Sequence, residues 1–364
     1  MNIPDWFFAP AGLFVGPLLV SGLLTAALIR WAPRLGLVDH PDERKVHTRP
    51  VPRGGGLAIF IAFALTILFC SFSLFPLSIF ILPLLLSTAI VLLGLYDDLR
   101  PLPWQLRLAV QLALTVVAVF FCLPPTSWLF RVAAIRWIAG HINAFNMLDN
   151  MDALSGGVAW IAAGFLALAS WLGPPPSPAD WGPFVILMGA LSGFLWFNRP
   201  PARIFMGDAG STFLGFSLGL GSAQVALREG GPSWSWAVPL CILAVPCYDL
   251  LSVVLLRLSQ GRSPFYADKQ HLSHRLVRRG LSSPTAVRVI YLLALASGAS
   301  GLILYAVANG QTAALVCCQL AAWWIALAVI EFGHWLSAIG IPPEQPTDSK
   351  RPITDKESDH DPQT

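Results

Sequence analysis

The stretch FPLSIFILPLLLSTAIVLLGLYDDL, residues 75–99, decides the fold class. Residues 75–95 carry no charged side chain, and a helix needs about 20 apolar residues to cross the hydrocarbon core of a bilayer. The apolar run ends in two adjacent carboxylates, Asp97 and Asp98, which we expect at the membrane surface. Adjacent acids repel each other, so the pair requires a cation or a proton nearby. The stretch therefore predicts a transmembrane helix that brings two carboxylates to one membrane face.

The rest of the chain has the composition of a polytopic membrane protein. Of its 364 residues, 55% are hydrophobic and only 12% are charged, and the mean hydropathy is +0.65. Soluble domains carry about 25% charged residues, which excludes a soluble globule. Disorder is excluded as well, because it requires low hydrophobicity and high net charge. The net charge of +3 is too small to indicate a nucleic-acid partner, and we expect none.

Hydropathy predicts an all-α integral membrane protein with about eleven transmembrane helices. The first has no basic segment ahead of it and is followed by Arg34, the opposite of a cleaved signal peptide, so we expect it to be retained. The least apolar is the fifth, which contains Arg131, Arg136 and His141. The predicted spans are 10–30, 56–73, 75–95, 104–122, 128–145, 156–172, 183–198, 212–227, 234–257, 286–307 and 312–334.

Lysine and arginine are distributed unequally over the loops. The loops after the first, third, seventh and ninth spans are rich in them, whereas the alternate loops contain one basic residue, Arg228. Because basic loops are cytoplasmic, the N-terminus is predicted outside and the C-terminus in the cytoplasm of a multi-pass protein of the cell (inner) membrane. Residues 1–341 are predicted to form the transmembrane domain. Residues 342–364 are polar and proline-rich, and we expect a disordered cytoplasmic tail.

Further polar segments are predicted on the same cytoplasmic face as Asp97 and Asp98. Asn143, Asn146 and Asp149 are spaced three apart and would share one face of a helix, supplying oxygen ligands and amide donors together. The glycines of residues 207–211 (GDAGS) allow close backbone approach, and a helix N-terminus behind them favours phosphate. Singly, each segment is compatible with ordinary loop polarity. Together they indicate an active site for a phosphorylated, metal-bound ligand on the cytoplasmic face.

A transporter of a phosphorylated anion is an alternative of a different class. Transporters also bury charged groups, but they place the site near the midplane of the bilayer, often on broken helices of an internal repeat. Here the polar groups lie at one rim, and no repeat is visible in the sequence. The pattern therefore favours an enzyme.

In this order, the polar segments resemble the motifs of the polyprenyl-phosphate N-acetylhexosamine-1-phosphate transferases. The resemblance extends from about residue 30 to 280, and the form of its first and last segments is that of the GlcNAc branch. The peptidoglycan branch, the phospho-MurNAc-pentapeptide transferases, usually has a KxGTPTMGG-like loop and three consecutive histidines, and it stays the alternative within the family. The matching segments are RKVHTRPVPRGG (44–55), GLYDD (94–98), NAFNMLDNMD (143–152), FMGDAGS (205–211) and DKQHLSHRL (268–276).

The resemblance implies a reaction and its participants. A HexNAc 1-phosphate, with GlcNAc 1-phosphate favoured, passes from a UDP-sugar to undecaprenyl phosphate with release of UMP, as the first membrane step of cell-envelope polysaccharide synthesis, such as that of O-antigen in lipopolysaccharide. The cofactor implied is Mg2+, with Mn2+ as a substitute. The partners implied are the UDP-sugar, the polyprenyl phosphate, membrane lipids and a second copy of the chain in a homodimer.

The same resemblance assigns roles to residues. Asn146 and Asp208 bind the metal, and Asp97, Asp98 and Asp208 are catalytic. For Asp97 and Asp98 two roles stay open: one of them is a base, or the pair binds and orients the acceptor. Orientation is favoured, because the second pKa of a phosphate monoester is about 6 and the lipid phosphate is mostly a dianion at neutral pH. The substrate-binding residues implied are Lys45, His47, Arg53, Asn143, Asp149, Asp152, His271, His274 and Arg275.

Three positions depart from the family motifs. Where the motif reads DGxDGL, this chain has Asn150 and Ala153 in place of the two glycines. Where it reads HxHHR, Ser273 replaces one histidine. These departures concern how the sugar or nucleotide is held, not the reaction. Asp249, inside the ninth predicted span, fits a Pro-x-x-Asp pattern of the family and is expected to pair with a basic neighbour.

Overall fold

A computed structural model describes residues 9–39, 50–72, 74–173, 176–228, 231, 234–264, 270–307 and 309–338, with side chains between Pro10 and Ile330. The described chain is mostly helical. The helices are α1 (Ala9–Trp31), α2 (Gly55–Cys70), α3 (Leu77–Leu99), α4 (Trp104–Cys122), α5 (Trp128–Leu148), α6 (Leu154–Leu172), α7 (Pro178–Asn198), α8 (Asp208–Ala226), α9 (Val238–Ile242), α10 (Ala244–Ser259), α11 (Leu272–Arg278), α12 (Ser283–Val307) and α13 (Gly310–Ala338).

Seven of the described helices are long and apolar enough to cross a membrane, which fits a polytopic all-α membrane protein. An eighth span is added if Ser235–Ile242 and Ala244–Ser259, bent by 70° at their junction, count as one. All eleven predicted spans fall on helices, but three of those helices do not meet this standard. Helix α2 is short at 16 residues, and α5 and α8 are long enough but less apolar.

Helix α8 is less apolar because it is rich in small residues, and these let other helices approach it closely. Most of its residues are buried, against α2, α3, α5 and α6. Where α2 crosses it, a Cβ atom on Gly56 would lie 2.1 Å from the Cα atom of Gly210. No side chain larger than hydrogen fits between the two backbones there. The sequence prediction that the glycines of residues 207–211 allow close backbone approach is confirmed.

A short antiparallel hairpin precedes α2 and is attached to the start of α8. Its strands are β1 (Val38–Asp39) and β2 (Val51–Pro52). The backbone N–H of Phe205 donates to the carbonyl of Pro52 at 2.8 Å, and the N–H of Gly55 donates to the carbonyl of Phe205 at 3.0 Å. These bonds fix Arg53 beside the N-terminus of α8.

The chain divides into two compact units, Met1–Ala322 and Trp323–Thr364. All elements discussed below belong to the first unit. In the second, the described residues are the C-terminal part of α13. The predicted tail, 342–364, lies outside the described residues.

Candidate active site

A cavity of about 410 Å3 lies where α3 and α5 end and α8 begins, with α4, α10 and the start of α11 around it. We call it the acidic cavity, because three carboxylates line it: Asp97 at the end of α3, Asp149 just after α5, and Asp208 at the start of α8. Three segments spread over more than 100 residues of sequence thus meet at one point. The other polar or charged side chains of its lining are Arg107, Gln111, Asn143, Asn146, Asn150, Thr212, Arg257 and His271.

Arg107 connects two of the carboxylates. Its Nη1 atom contacts the carboxylate of Asp97 and lies 3.3 Å from Oδ2 of Asp208. Asp97 also accepts a hydrogen bond of 2.6 Å from the backbone N–H of Leu102, and the side chains of Asp97 and Asp208 are in hydrogen-bond contact. Two touching carboxylates share a proton or require a cation. Arg107 supplies part of that positive charge.

Asp98 faces away from the cavity. Its carboxylate accepts hydrogen bonds from the backbone N–H groups of Asp208, at 3.1 Å, and Ala209, at 3.2 Å, and its side chain is 1% exposed. Arg53 lies beside it, with Nη1 3.5 Å from Oδ1. A carboxylate at a helix N-terminus satisfies N–H groups that have no partner within the helix and interacts favourably with its dipole. Asp98 therefore holds the first turn of α8, on which Asp208 stands.

The contact between Asp98 and the start of α8 also requires a glycine at position 207. Its φ is +78°, and a Cβ atom there would lie 2.6 Å from Oδ2 of Asp98. Both the backbone conformation and the space require glycine. The turn before α8 therefore depends on this residue.

The polar face predicted for α5 lines the cavity. Asn143 donates from Nδ2 to Oε1 of Gln111 at 3.1 Å, and Asn146 donates to Oγ of Ser211 at 3.2 Å and contacts Asp208. Asp149 follows the last turn. Burial and, next, the charges of Asp208 and Asp98 raise the pKa of Asp149 to about 8. Three carboxyl groups thus share the cavity with two arginines, Arg107 and Arg257.

Sequence comparison identifies the family. Residues 79–226, from α3 to the end of α8, match glycosyl transferase family 4. A probable undecaprenyl-phosphate N-acetylglucosaminyl 1-phosphate transferase of Bacillus subtilis is 31% identical over 80% of this chain and 84% of its own length. The undecaprenyl-phosphate alpha-N-acetylglucosaminyl 1-phosphate transferases of Escherichia coli and Thermotoga maritima are 28% and 30% identical over 72% of this chain and 75% and 80% of theirs.

The chain belongs to the polyprenyl-phosphate N-acetylhexosamine-1-phosphate transferases of glycosyl transferase family 4. The family expectation drawn from the five motifs is confirmed.

His271 lines the acidic cavity, and Asp249 holds it there. Oδ2 of Asp249 is 2.9 Å from Nδ1 of His271, and Oδ1 accepts a 2.6 Å bond from the backbone N–H of Leu272. Asp249 is only 1% exposed, and its contact with His271 confirms the expected pairing with a basic neighbour. His271 precedes α11 and His274 lies within it, because Asp249 anchors the first turn of this helix.

Four other predicted substrate-binding residues are described but do not line the cavity: Arg53, Asp152, His274 and Arg275. Asp152 accepts a 2.9 Å hydrogen bond from the backbone N–H of Ala202 and so holds the segment before α8. Arg275 is buried and donates to Oγ of Ser252 at 2.7 Å. Arg53 contacts Asp39 and Asp98. Lys45 and His47 lie outside the described residues.

Two departures from the family motifs have structural counterparts. Ala153, in place of a glycine, has a φ of +62°, the left-handed conformation that glycine adopts most readily. Ser273, in place of a histidine, donates to Oδ1 of Asn150 at 2.5 Å. Ser273 therefore contacts Asn150, which is the third departure from the family motifs.

Arg107 is a site residue that the sequence did not mark, because a single arginine early in a helix carries no motif of its own. Asp249 was noticed but not assigned to the site. Its signal was an acid inside an apolar stretch, which is costly in a membrane and usually functional.

No group of three or more His, Cys, Asp or Glu side chains arranged to hold a metal ion is found among the residues whose side chains are described. The donor set nevertheless suits Mg2+, which typically takes one or two carboxylates from the protein and fills its other positions with phosphate oxygens and water. Asp208 beside Asn146, in a cluster with surplus negative charge, matches that requirement.

Proposed function

We propose that this chain transfers GlcNAc 1-phosphate from UDP-GlcNAc to undecaprenyl phosphate at the acidic cavity. An oxygen of the lipid phosphate forms a bond to the phosphorus that carries the sugar. The bond from that phosphorus to the bridging oxygen breaks, and UMP leaves with the electron pair. The observation that carries the proposal is the convergence of Asp97, Asn146, Asp208 and His271 in one cavity of a chain whose relatives bear that enzymatic name.

We propose Mg2+ as the cofactor, held by Asn146 and Asp208. When bound, it neutralises charge on the pyrophosphate, and this lowers the repulsion between two anionic substrates. The support is the contact of Asp208 with Asn146 and the excess of carboxyl groups over arginines in the lining of the cavity. Mn2+ has similar ligand preferences and serves as a substitute.

Around that site the protein residues have separate roles. Arg107 binds a phosphate oxygen, and Asp97 orients Arg107 through their ion pair. Asp98 positions Asp208 through the first turn of α8. His271, whose Nδ1 is held by Asp249, contacts the nucleotide sugar through Nε2. No protein base is needed, because the acceptor phosphate is already mostly a dianion at neutral pH.

We further propose that the acidic cavity faces the cytoplasm of the cell membrane, with eleven crossings, the N-terminus outside and the C-terminus inside. The support is the excess of Lys and Arg in the loops on the side of the cavity. A reporter fused after Thr364 should be active only if it functions in the cytoplasm. Activity of a periplasm-dependent reporter at this position would contradict the orientation.

The direct test is UMP release by the purified protein with undecaprenyl phosphate and Mg2+. UDP-GlcNAc should support release, and UDP-MurNAc-pentapeptide should not. Release from the pentapeptide substrate alone would assign the protein to the peptidoglycan branch. No release from either substrate, with protein that is folded by a thermal-unfolding assay, would overturn the proposed function.

A further inference from the structure

A single hydrogen bond joins two segments of the acidic cavity. Oγ of Ser273, on α11, donates to Oδ1 of Asn150 at 2.5 Å, and Ser273 is only 1% exposed. The same amide donates from Nδ2 to the carbonyl of Met147, in the last turn of α5, at 2.7 Å. Asn150 thus ties the end of α5 to α11, which lies 123 residues further along the chain.

The two segments joined by this bond both reach the cavity. Asn150 lies in the lining next to Asp149, and His271, two residues before Ser273, lines it as well. On its other side α11 is fixed to α10, since Asp249 holds His271 and Leu272. The bond from Ser273 to Asn150 therefore sets the spacing between His271 and the end of α5.

We propose that the Asn150–Ser273 hydrogen bond is a positioning link that sets the affinity of the site for the nucleotide sugar. This inference rests on the proposed function. The donor and the acceptor of the Asn150 amide are both engaged by protein, and the groups assigned to the reacting phosphates stand on α3, α4, α5 and α8. Loss of the link should therefore weaken binding of the nucleotide sugar and change the rate of the chemical step only slightly.

The identity of the two residues supports the same conclusion. Positions 150 and 273 are two of the three departures from the family motifs, and they contact each other. The asparagine supplies the acceptor and the serine supplies the donor of a partly buried hydrogen bond, which could not form with a glycine at position 150 or without the Ser273 hydroxyl. We therefore expect the two positions to be energetically coupled.

The test is a double-mutant cycle on UMP release, with Ser273→Ala, Asn150→Ala and the double variant at saturating undecaprenyl phosphate and Mg2+. Each single variant should raise KM for UDP-GlcNAc about tenfold, as expected for loss of one buried hydrogen bond, with kcat nearly unchanged. The double variant should resemble the single variants, because all three lack the same bond. Ser282→Ala, which removes an exposed hydroxyl bonded to Thr285, is the matched control and should leave KM unchanged.

A conservative exchange keeps the inference testable if the alanine variants are unstable. Ser273→Thr retains a hydroxyl that can donate to Oδ1 of Asn150, and it should keep KM for UDP-GlcNAc within about threefold of the wild-type value. Ser273→Val has nearly the volume of threonine but no hydroxyl, and it should raise KM about tenfold. An unchanged KM in Ser273→Ala or Ser273→Val, or multiplying effects in the double variant, would each overturn the link.

Amide hydrogen exchange over residues 272–278 separates this inference from the proposed function. Without substrate, Ser273→Ala should increase exchange there relative to wild type and Ser282→Ala. If the wild-type protein releases no UMP from UDP-GlcNAc, the proposed function fails, and unchanged exchange in Ser273→Ala then also overturns the link. If the wild type is active and exchange rises without a change in KM, the role in affinity is refuted.

Discussion

Two cavities of the first unit share helix α8 but differ in chemistry. The acidic cavity adjoins its N-terminal end, at Asp208 and Thr212. A second, larger cavity of about 600 Å3, the apolar cavity, adjoins its C-terminal half between Phe216 and Arg228, where α2, α3, α4, α6 and α7 complete the walls. Among the described residues its lining contains two charged side chains, Asp180 and Arg228, and they pair with each other at 2.7 Å.

The difference shows that volume does not identify the functional site. In the apolar cavity the one acid and the one base neutralise each other, and most other lining side chains are hydrocarbon. In the acidic cavity the carboxylates outnumber their cations, and the positive end of the α8 dipole points toward them. Unbalanced charge next to donors is what two anionic substrates and a metal ion require.

The largest effect should follow from removing a charge in the acidic cavity. Asp208→Asn should lower UMP release by more than about 1000-fold while the protein stays folded in detergent, because it loses a metal-binding oxygen and not packing. Asp180→Asn, the same change in the apolar cavity, is the matched control and should retain activity within about twofold. Near-normal rates in Asp208→Asn at saturating Mg2+ would remove this residue from the proposed metal site.

The arginines of the two cavities permit the same comparison for positive charge. Arg107→Ala should lower turnover about 100-fold, since it leaves Asp97 and Asp208 in contact without their shared cation. Arg228→Ala breaks a partly exposed ion pair, so it should cost less than about 1 kcal/mol of stability and leave turnover unchanged. Steady-state UMP release and thermal unfolding measure the two effects. Equal losses of turnover in both variants would show that the cavities are not functionally distinct.

A pH series tests the roles of two adjacent acids, Asp97 in the lining of the acidic cavity and Asp98 facing away from it. Asp97→Asn and Asp98→Asn should each lose about 100-fold in rate at every pH from 6 to 9, because geometry is missing rather than a proton acceptor. Asp98→Asn should also lower the unfolding temperature, since it weakens the contacts that hold the start of α8. Recovery of most of the wild-type rate by pH 9 in either variant would assign it the role of a base.

The smallest effect should follow from disturbing the packing of α2 against α8. Gly56→Ala would bring a Cβ atom to 2.1 Å from the Cα atom of Gly210, so the helices must move apart, at a cost of about 1–3 kcal/mol. The expected result is a lower unfolding temperature with a reduced rate, because Asp208 is displaced with α8. Gly12→Ala, at a position with no atom within 4 Å of the added methyl group, should leave both unchanged.

Local sequence was sufficient for some of these features. An uncharged run such as residues 75–95 specifies a membrane helix because its burial depends only on composition and length. The spacing of Asn143, Asn146 and Asp149 specifies a shared face because helical geometry repeats over a few residues. The family followed from short motifs in a fixed order. In each case the determining interactions lie within one segment.

Tertiary structure alone decided what each charged side chain does. Asp97 and Asp98 are neighbours in sequence, yet helical geometry turns their side chains about 100° apart, and one faces the cavity while the other holds α8. The backbone N–H groups that Asp98 binds lie 110 and 111 residues further along the chain, and the bond from Ser273 to Asn150 joins residues 123 positions apart. Such contacts depend on how closely whole helices approach, as at Gly56 and Gly210. The sequence by itself therefore determined the membrane helices, the family and the residues that carry charge, and the packing of α8 against its neighbours determined which of those residues meet.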